Sequence, residues 1–343
     1  MSELIITLKH DSISAGLNEC LRADEACKLK YWLDQEVGLI QLNKEFNQVA
    51  RYFQDHPPVF IQHICPVQQR VAIKGKQEDI EVLLGQCQQL QTRFVKEKSF
   101  SVQTRMLGKG NRSYKRFEVN QAIAEMIKNL GWELNVSRPE QIISIVIAED
   151  VAYLGVSMAE QNLSDWAGGQ HRFATEKGQI SRAEFKLLEA LDVFQIEIQP
   201  DSMALDLGAA PGGWTRILLK KGCRVYAVDP ALLDPSLQEV KQFTHFRQTA
   251  QDFLKQKKLP LFDLIVNDMK MDVNESIRLM GKMHRLLQSD GIAIMTLKLQ
   301  KKQLQKVTNQ AIKRLASWYK IIGARQLFHN RSEVTVVLGK KDK

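Results

Sequence analysis

The segment from Met203 to Trp214 constrains the fold more than any other. MALDLG is a short apolar run that breaks into the turn AAPGG, and a helical pattern follows at Trp214–Lys221. A strand that runs into a Gly/Pro turn and opens a helix is half of a βαβ unit. The pattern then repeats. RVYAVD at Arg224–Asp229, ended by Pro230, reads as a second strand, and FDLIVND at Phe262–Asp268 and GIAIMTLKL at Gly291–Leu299 as two more. Between these last two, Val273–Leu287 has the periodicity of a helix. Strands alternating with helices predict an α/β, Rossmann-like domain over 181–343 with a mostly parallel sheet covered on both faces. Near its end, Ala324–Phe328 and Glu333–Leu338 flank the turn-like HNRS, which predicts a closing hairpin and an antiparallel edge strand.

The first 180 residues read differently. They are α+β in pattern and carry no Gly-rich nucleotide loop. Residues 1–90 alternate short strands with helical stretches such as Glu78–Leu90. A second unit over 91–162 has a strand at Phe100–Arg105, the basic loop GKGNRSYKR, a helix at Glu118–Leu130, and two strands, Gln141–Ala148 and Val151–Ser157. Residues 163–180 read as a linker. Within Arg93–Phe117 lie Arg93, Lys96, Lys98, Arg105, Lys109, Arg112, Lys115 and Arg116 against one acid, with Phe94, Phe100 and Tyr114 interleaved. Basic residues among aromatics suit single-stranded or bulged RNA.

The charge balance points the same way. The chain carries a formal net charge of +9, and residues 298–343 hold 12 basic against 2 acidic residues, while the remaining 297 hold 36 and 37. An excess concentrated in one segment favours a polyanionic partner. Other classes drop out. No apolar run approaches the roughly 18 residues of a membrane span. The opening MSELIITLKHD lacks the basic and apolar regions of a secretory leader. The five cysteines are scattered and odd in number, and neither they nor the histidines show metal-ligand spacing, so reduced thiols in a cytoplasmic protein and no metal site are expected.

The chemistry resides in the 206–214 turn and its surroundings. The glycines let the backbone turn tightly and approach a ligand at the carboxyl end of a strand. About twenty residues on, Asp229 ends the next strand, where a carboxylate can accept both hydroxyls of a ribose, and Asp252 in QDF could bind an adenine edge. There is no GxxxxGK[ST], and the turn does not fit GxGxxG, so ATP and NAD are poor candidates. A cofactor with a ribose and no phosphates, such as S-adenosylmethionine, fits better. Gly208, Ala210, Pro211, Gly212, Gly213 and Trp214 of the turn, with Asp229, Asp252 and Asp268, are its candidate contacts.

DLGAAPGGW is similar to the cofactor loop of the FtsJ-like ribose 2′-O-methyltransferases, and further segments agree in order. SRAEFKLLEAL (181–191) resembles the family's SRAxFKLxE segment, NDM (267–269) its strand-four DM, TLKL (296–299) its strand-five lysine and SEVTVV (332–337) its late glutamate. The resemblance implies an S-adenosylmethionine-dependent methyltransferase whose Lys-Asp-Lys-Glu tetrad falls on Lys186, Asp268, Lys298 and Glu333, with Lys298 as general base. A ribose hydroxyl must lose its proton as it attacks the methyl carbon, and a lysine can take that proton if its pKa is lowered by burial and a neighbouring cation. The chain departs from the family in two places: Lys270-Met271 stands where Ala-Pro is usual, and QDF replaces GDF. The 92–162 unit resembles a THUMP RNA-binding domain, which implies that residues 1–90 are the ferredoxin-like module that usually accompanies it. The pairing with an FtsJ-like domain is similar to methyltransferases acting on large-subunit ribosomal RNA, with a cytidine as the candidate nucleotide, so RNA is the expected partner.

Two other readings stay open. THUMP-bearing methyltransferases that modify guanine nitrogen carry Asn/Asp-Pro-Pro-aromatic after strand four, where this chain has Asn267-Asp268-Met269-Lys270. A non-catalytic RNA-binding or assembly factor with a vestigial cofactor fold is the second.

Overall fold

The computed structural model describes residues 2–237, 240–300 and 303–341. The chain divides into two units, Met1–Gln170 and His171–Lys343.

The first unit holds two four-stranded sheets. Strands β1 (Glu3–Thr7), β2 (Lys28–Asp34), β3 (Val37–Gln41) and β4 (His63–Val67), with helices α1 (Ile13–Ala23) and α2 (Phe46–Asp55), follow the β-α-β-β-α-β order of a ferredoxin-like fold. The strands pair antiparallel in the order β2-β3-β1-β4. The second sheet is built from β5 (Gln69–Ala72), β6 (Phe100–Met106), β7 (Gln141–Ala148) and β8 (Val151–Met158) in the order β5-β8-β7-β6, and α3 (Asp79–Gln89) and α4 (Arg116–Asn129) complete this half. All eight residues of β7, QIISIVIA, are buried. A largely apolar run is what a strand covered on both faces requires.

Two boundaries expected from sequence shift. Residues 69–90, assigned above to the first module, join the second sheet and its core: Ile73, Ile80, Leu83, Cys87 and Leu90 pack with Phe100, Val119 and Ile123. The 163–180 segment is not a free linker either. Gly168 and Gly169, at φ +64 and +71, lie against Arg105 and Gln62 in the first unit. Phe173 stacks on Phe185 and His329 in the second, with ring centroids 6.1 and 5.9 Å apart.

The basic stretch 93–117 is also more structural than its composition implies. Phe100 and Tyr114 are buried core, and the Tyr114 hydroxyl donates to Asp79 at 3.0 Å. Phe94 packs edge-on against Trp132. None of the three is an open stacking surface; Phe117, 69% exposed, is the one solvent-facing aromatic of this stretch. Arg105 donates to the Thr7 hydroxyl at 2.7 Å, and Arg112 donates to the Glu149 carbonyl at 3.2 Å. Lys109, Lys115 and Arg116 stay exposed.

In the second unit, α5 (Ala183–Val193) precedes β9 (Met203–Leu207), α6 (Gly213–Lys220), β10 (Arg224–Val228), β11 (Phe243–Phe246), α7 (Ala250–Phe253), β12 (Phe262–Asn267), α8 (Val273–Met283), β13 (Leu287–Lys298), α9 (Leu304–Leu315), β14 (Tyr319–Arg325) and β15 (Glu333–Lys340). The sheet order is β11-β10-β9-β12-β13-β15-β14. Strands β9 to β13 pair in parallel, as the alternating pattern predicts. The hairpin is present, but the reversed strand is not the edge itself. β15 runs antiparallel between β13 and β14, which leaves β14 outermost. This insertion sets Glu333 directly opposite Lys298.

The turn before β15 is fixed from α5. Glu189, 1% exposed, accepts the backbone N–H groups of Phe328 at 2.6 Å and His329 at 2.8 Å. Glu189→Ala strips both of a charged acceptor and should cost about 2–3 kcal/mol, with Glu189→Gln costing less. Urea unfolding of the two variants against the parent measures it.

Candidate active site

The carboxyl ends of β9, β10, β12 and β13 carry the residues that the sequence singles out, and four elements bring the charged set together. Lys186 projects from α5, Asp268 follows β12, Lys298 ends β13 and Glu333 begins β15. Lys298 Nζ donates to Asp268 Oδ1 and, at 3.0 Å, to Glu333 Oε1. Lys186 Nζ lies 2.7 Å from Glu333 Oε2 and 3.3 Å from Asp268 Oδ2. Two ammonium groups and two carboxylates thus alternate around a closed ring, each side chain 15–19% exposed. Burial alone would depress the Lys186 pKa, but the carboxylates of Asp268 and Glu333 outweigh it and hold the ammonium above its usual range. Lys186 therefore stays charged, because both carboxylates face it, and it is the neighbouring cation that the sequence places beside Lys298.

The ring has a further member outside the motif. Thr296, 1% exposed, donates its hydroxyl to Asp268 Oδ1 at 2.6 Å. Its signal is the strand period: Thr296 and Lys298 stand two apart in TLKL and share one face of β13.

Helix α5 is held rigidly enough to place Lys186. Glu184 Oε1 accepts Ile180 N–H at 2.7 Å, and its Oε2 binds Arg216 of α6 at 2.6 Å. Trp214 is 4% exposed and gives its indole N–H to the Ala183 carbonyl at 2.7 Å. Trp214 thus packs in the core and ties α6 to the start of α5. The loop glycines stand where a side chain would meet protein atoms. Gly208 (φ +74) passes under the Met269 side chain, and a Cβ on Gly213 would strike Ser181 Oγ. Gly212, at φ +117, lies against Leu237. Pro211 ties the loop onward, its carbonyl accepting Asp234 N–H at 2.8 Å.

Asp229 sits where β10 ends. Its Oδ2 accepts Ala210 N–H at 3.1 Å and its Oδ1 accepts Ala231 N–H at 2.8 Å. A carboxylate has about four acceptor sites, so capacity remains for two hydroxyl donors. That acceptor chemistry fits the ribose of a nucleoside cofactor beside the Gly208–Gly213 turn. Asp252 is placed differently: on α7, exposed, its carboxylate accepts from Thr249 and Lys255, both at 2.7 Å. Two of its acceptor positions are thus taken, and as in Asp229 others remain.

Beyond the ring, Lys298 also lines an open cavity of about 840 Å³ between the segment after β12, α8 and α9. Lys270 and Met271, which stand where the family has Ala-Pro, line it as well.

Two family models match the chain. Residues 179–329 match the FtsJ-like methyltransferase and residues 77–157 the THUMP domain. The chain carries an FtsJ-like methyltransferase domain and a THUMP domain. The FtsJ-like match stops short of Glu333, so the last ring member rests on the geometry and on the sequence motif. The THUMP match begins at 77, in accord with α3 packing in the core of the second sheet.

Relatives named ribosomal RNA large subunit methyltransferase M occur in Psychromonas ingrahamii (32% identical, covering 54% of this chain and 53% of the relative) and Chromohalobacter salexigens (36%, covering 51% of each). Another occurs in Actinobacillus pleuropneumoniae (30%, covering 63% and 64%). The chain spans about half the length of the first curated relatives it matches. No described helix is long and apolar enough to cross a membrane.

A buried acid under the FtsJ-like loop gives a test of this electrostatic environment. Asp206 is 2% exposed and accepts the Thr215 hydroxyl at 2.6 Å. Burial pushes its carboxyl up to about 7; Thr215 opposes the shift, and the carboxylates of Asp268 and Asp229 add to it. A carboxyl raised above its unfolded value of about 3.9 contributes fully below that pH, and the contribution is lost as pH rises through 7. Asp206→Asn should therefore flatten the fall in stability between pH 5 and pH 8. Melting temperatures of both proteins across that range check it, and parallel curves would contradict the raised pKa.

Proposed function

We propose that this protein transfers the methyl group of S-adenosylmethionine to a ribose 2′-hydroxyl in RNA, with large-subunit ribosomal RNA as substrate. The observation that carries the reading is the closed ring of Lys186, Asp268, Lys298 and Glu333 beside the Gly208–Gly213 turn and Asp229. When bound, S-adenosylmethionine supplies an electrophilic methyl on a good leaving group, so the chain must hold the partners in line and remove one proton.

The geometry supports different tasks for the two lysines. Lys298 faces the open cavity, so it is the amine placed to take the hydroxyl proton. Lys186, held charged by its two carboxylates, offers a fixed positive charge to the oxygen as negative charge develops there. Asp268 and Glu333 orient both amines, and Thr296 fixes Asp268. Asp229 would hold the cofactor ribose. Asn267-Asp268-Met269-Lys270 lacks the prolines and the aromatic of a site built around a base amine, which favours ribose over guanine nitrogen. The complete ring argues against a vestigial site. A cytidine target is the finer part of this reading.

The THUMP domain supports RNA as the substrate, and the exposed Lys109, Lys115 and Arg116 supply docking charge in the first unit.

Lys298→Met should lower the single-turnover rate by about 10²–10⁴-fold while cofactor and RNA affinities hold, since a general base acts in the transition state. Lys186 variants should combine non-additively with it. Rapid-quench methylation with saturating RNA decides this, and a wild-type rate in Lys298→Met removes that residue as the base. Asp229→Ala should weaken S-adenosylmethionine binding by about 1.5–3 kcal/mol, read by calorimetry.

A further inference from the structure

The cavity that Lys298 lines has a composition that the transfer reaction alone does not require. Its apolar part includes Met271, Ile277 and Val307, and around it stand Lys270, Lys313 and Arg314, with Asp272 as the carboxylate. Asp272 is already engaged: its carboxylate caps α8 by accepting Asn274 N–H at 2.8 Å and Glu275 N–H at 3.3 Å. Arg314 donates to the Asn274 side-chain oxygen, which steadies its guanidinium against α8. Lys270 and Lys313 are exposed, and no acidic side chain pairs with either among the described residues. Unpaired cations around an apolar floor, continuous with the reactive lysine, are complementary to a nucleotide: phosphate on the rim and base on the floor.

We propose that this cavity is a nucleotide subsite of the RNA substrate, holding a single-stranded nucleotide next to the one methylated. The proposal rests on the RNA-methyltransferase reading above and deepens it. About 840 Å³ is within the range of small-molecule sites, ample for one nucleotide and its phosphates. Sequence-dependent RNA recognition acts chiefly on unstacked nucleotides, whose faces can lie on side chains. Lys270 and Met271, the residues that depart from the family's Ala-Pro, contribute one rim charge and part of the floor.

Lys270→Ala/Lys313→Ala tests it, beside the control Lys257→Ala/Lys258→Ala. The control removes equal charge from the segment that enters β12, at the amino ends of the parallel strands. RNA affinity would be measured by filter binding across a salt series with a single-stranded RNA that the wild type methylates, together with KM for that RNA. Calorimetric binding of S-adenosylmethionine serves as the check on folding. The subsite variant should raise KM and make the slope of log affinity against log salt shallower by about 0.7 for each phosphate it no longer neutralises. The control should keep the wild-type slope, and both variants should bind the cofactor normally. Equal slopes for subsite variant and wild type, or equal effects in subsite variant and control, would overturn the subsite while leaving the methyltransferase reading intact. A wild type that methylates no RNA would overturn that reading, and the subsite with it.

Discussion

Two ammonium groups share one half-buried site only because two carboxylates alternate with them. Withdrawing a single ion from water costs several kcal/mol, and removing one partner from a buried set leaves the others uncompensated. The ring of Lys186, Asp268, Lys298 and Glu333 is therefore a constraint on the whole second unit. β12 and β13 must be neighbours for Asp268 to meet Lys298. β15 must lie beside β13, and antiparallel to it, for Glu333 to face Lys298. α5 must be pinned by Glu184 and Trp214 for Lys186 to close the circle. A hairpin added to the sheet in the opposite order would place Glu333 a strand away.

Equal composition does not make the two lysines equal. Lys186 is bound on both sides by carboxylates that favour its charged form. Lys298 meets the same carboxylates and also borders the cavity. The proposed chemistry uses this difference, with one amine as a permanent charge and the other as an exchanger of protons. Catalysis of this type draws on groups already fixed in place, so that little reorganisation accompanies the reaction.

Much of the second unit was legible in the sequence because parallel strands buried on both faces are continuous apolar runs, and MALDL, FDLIVN and GIAIMTL are close to such runs. The tetrad was legible because each member lies at the end of one of these strands or in a motif of fixed spacing. What stayed hidden depended on packing. Nothing local in the sequence shows that Met269 lies over Gly208 or Leu237 beside Gly212. The indole bond from Trp214 to Ala183 likewise has no local signal in the loop that carries it. In the first unit, Phe100 and Tyr114 lie among lysines and arginines in sequence, yet their rings turn inward. Charge density along the chain records neither their direction nor the Arg105 and Arg112 hydrogen bonds. The start of the second sheet near 69 has no strong local signal, because β5 is four residues long and pairs with β8, over eighty residues later.

The central claim is that the methyl group goes to a ribose oxygen. RNA methylated by the protein with radiolabelled S-adenosylmethionine and then hydrolysed in alkali answers this directly, because a 2′-O-methyl blocks cleavage of the adjacent phosphodiester. The account predicts label in an alkali-resistant dinucleotide. Label released in ordinary mononucleotides, the signature of a methylated base, would contradict it.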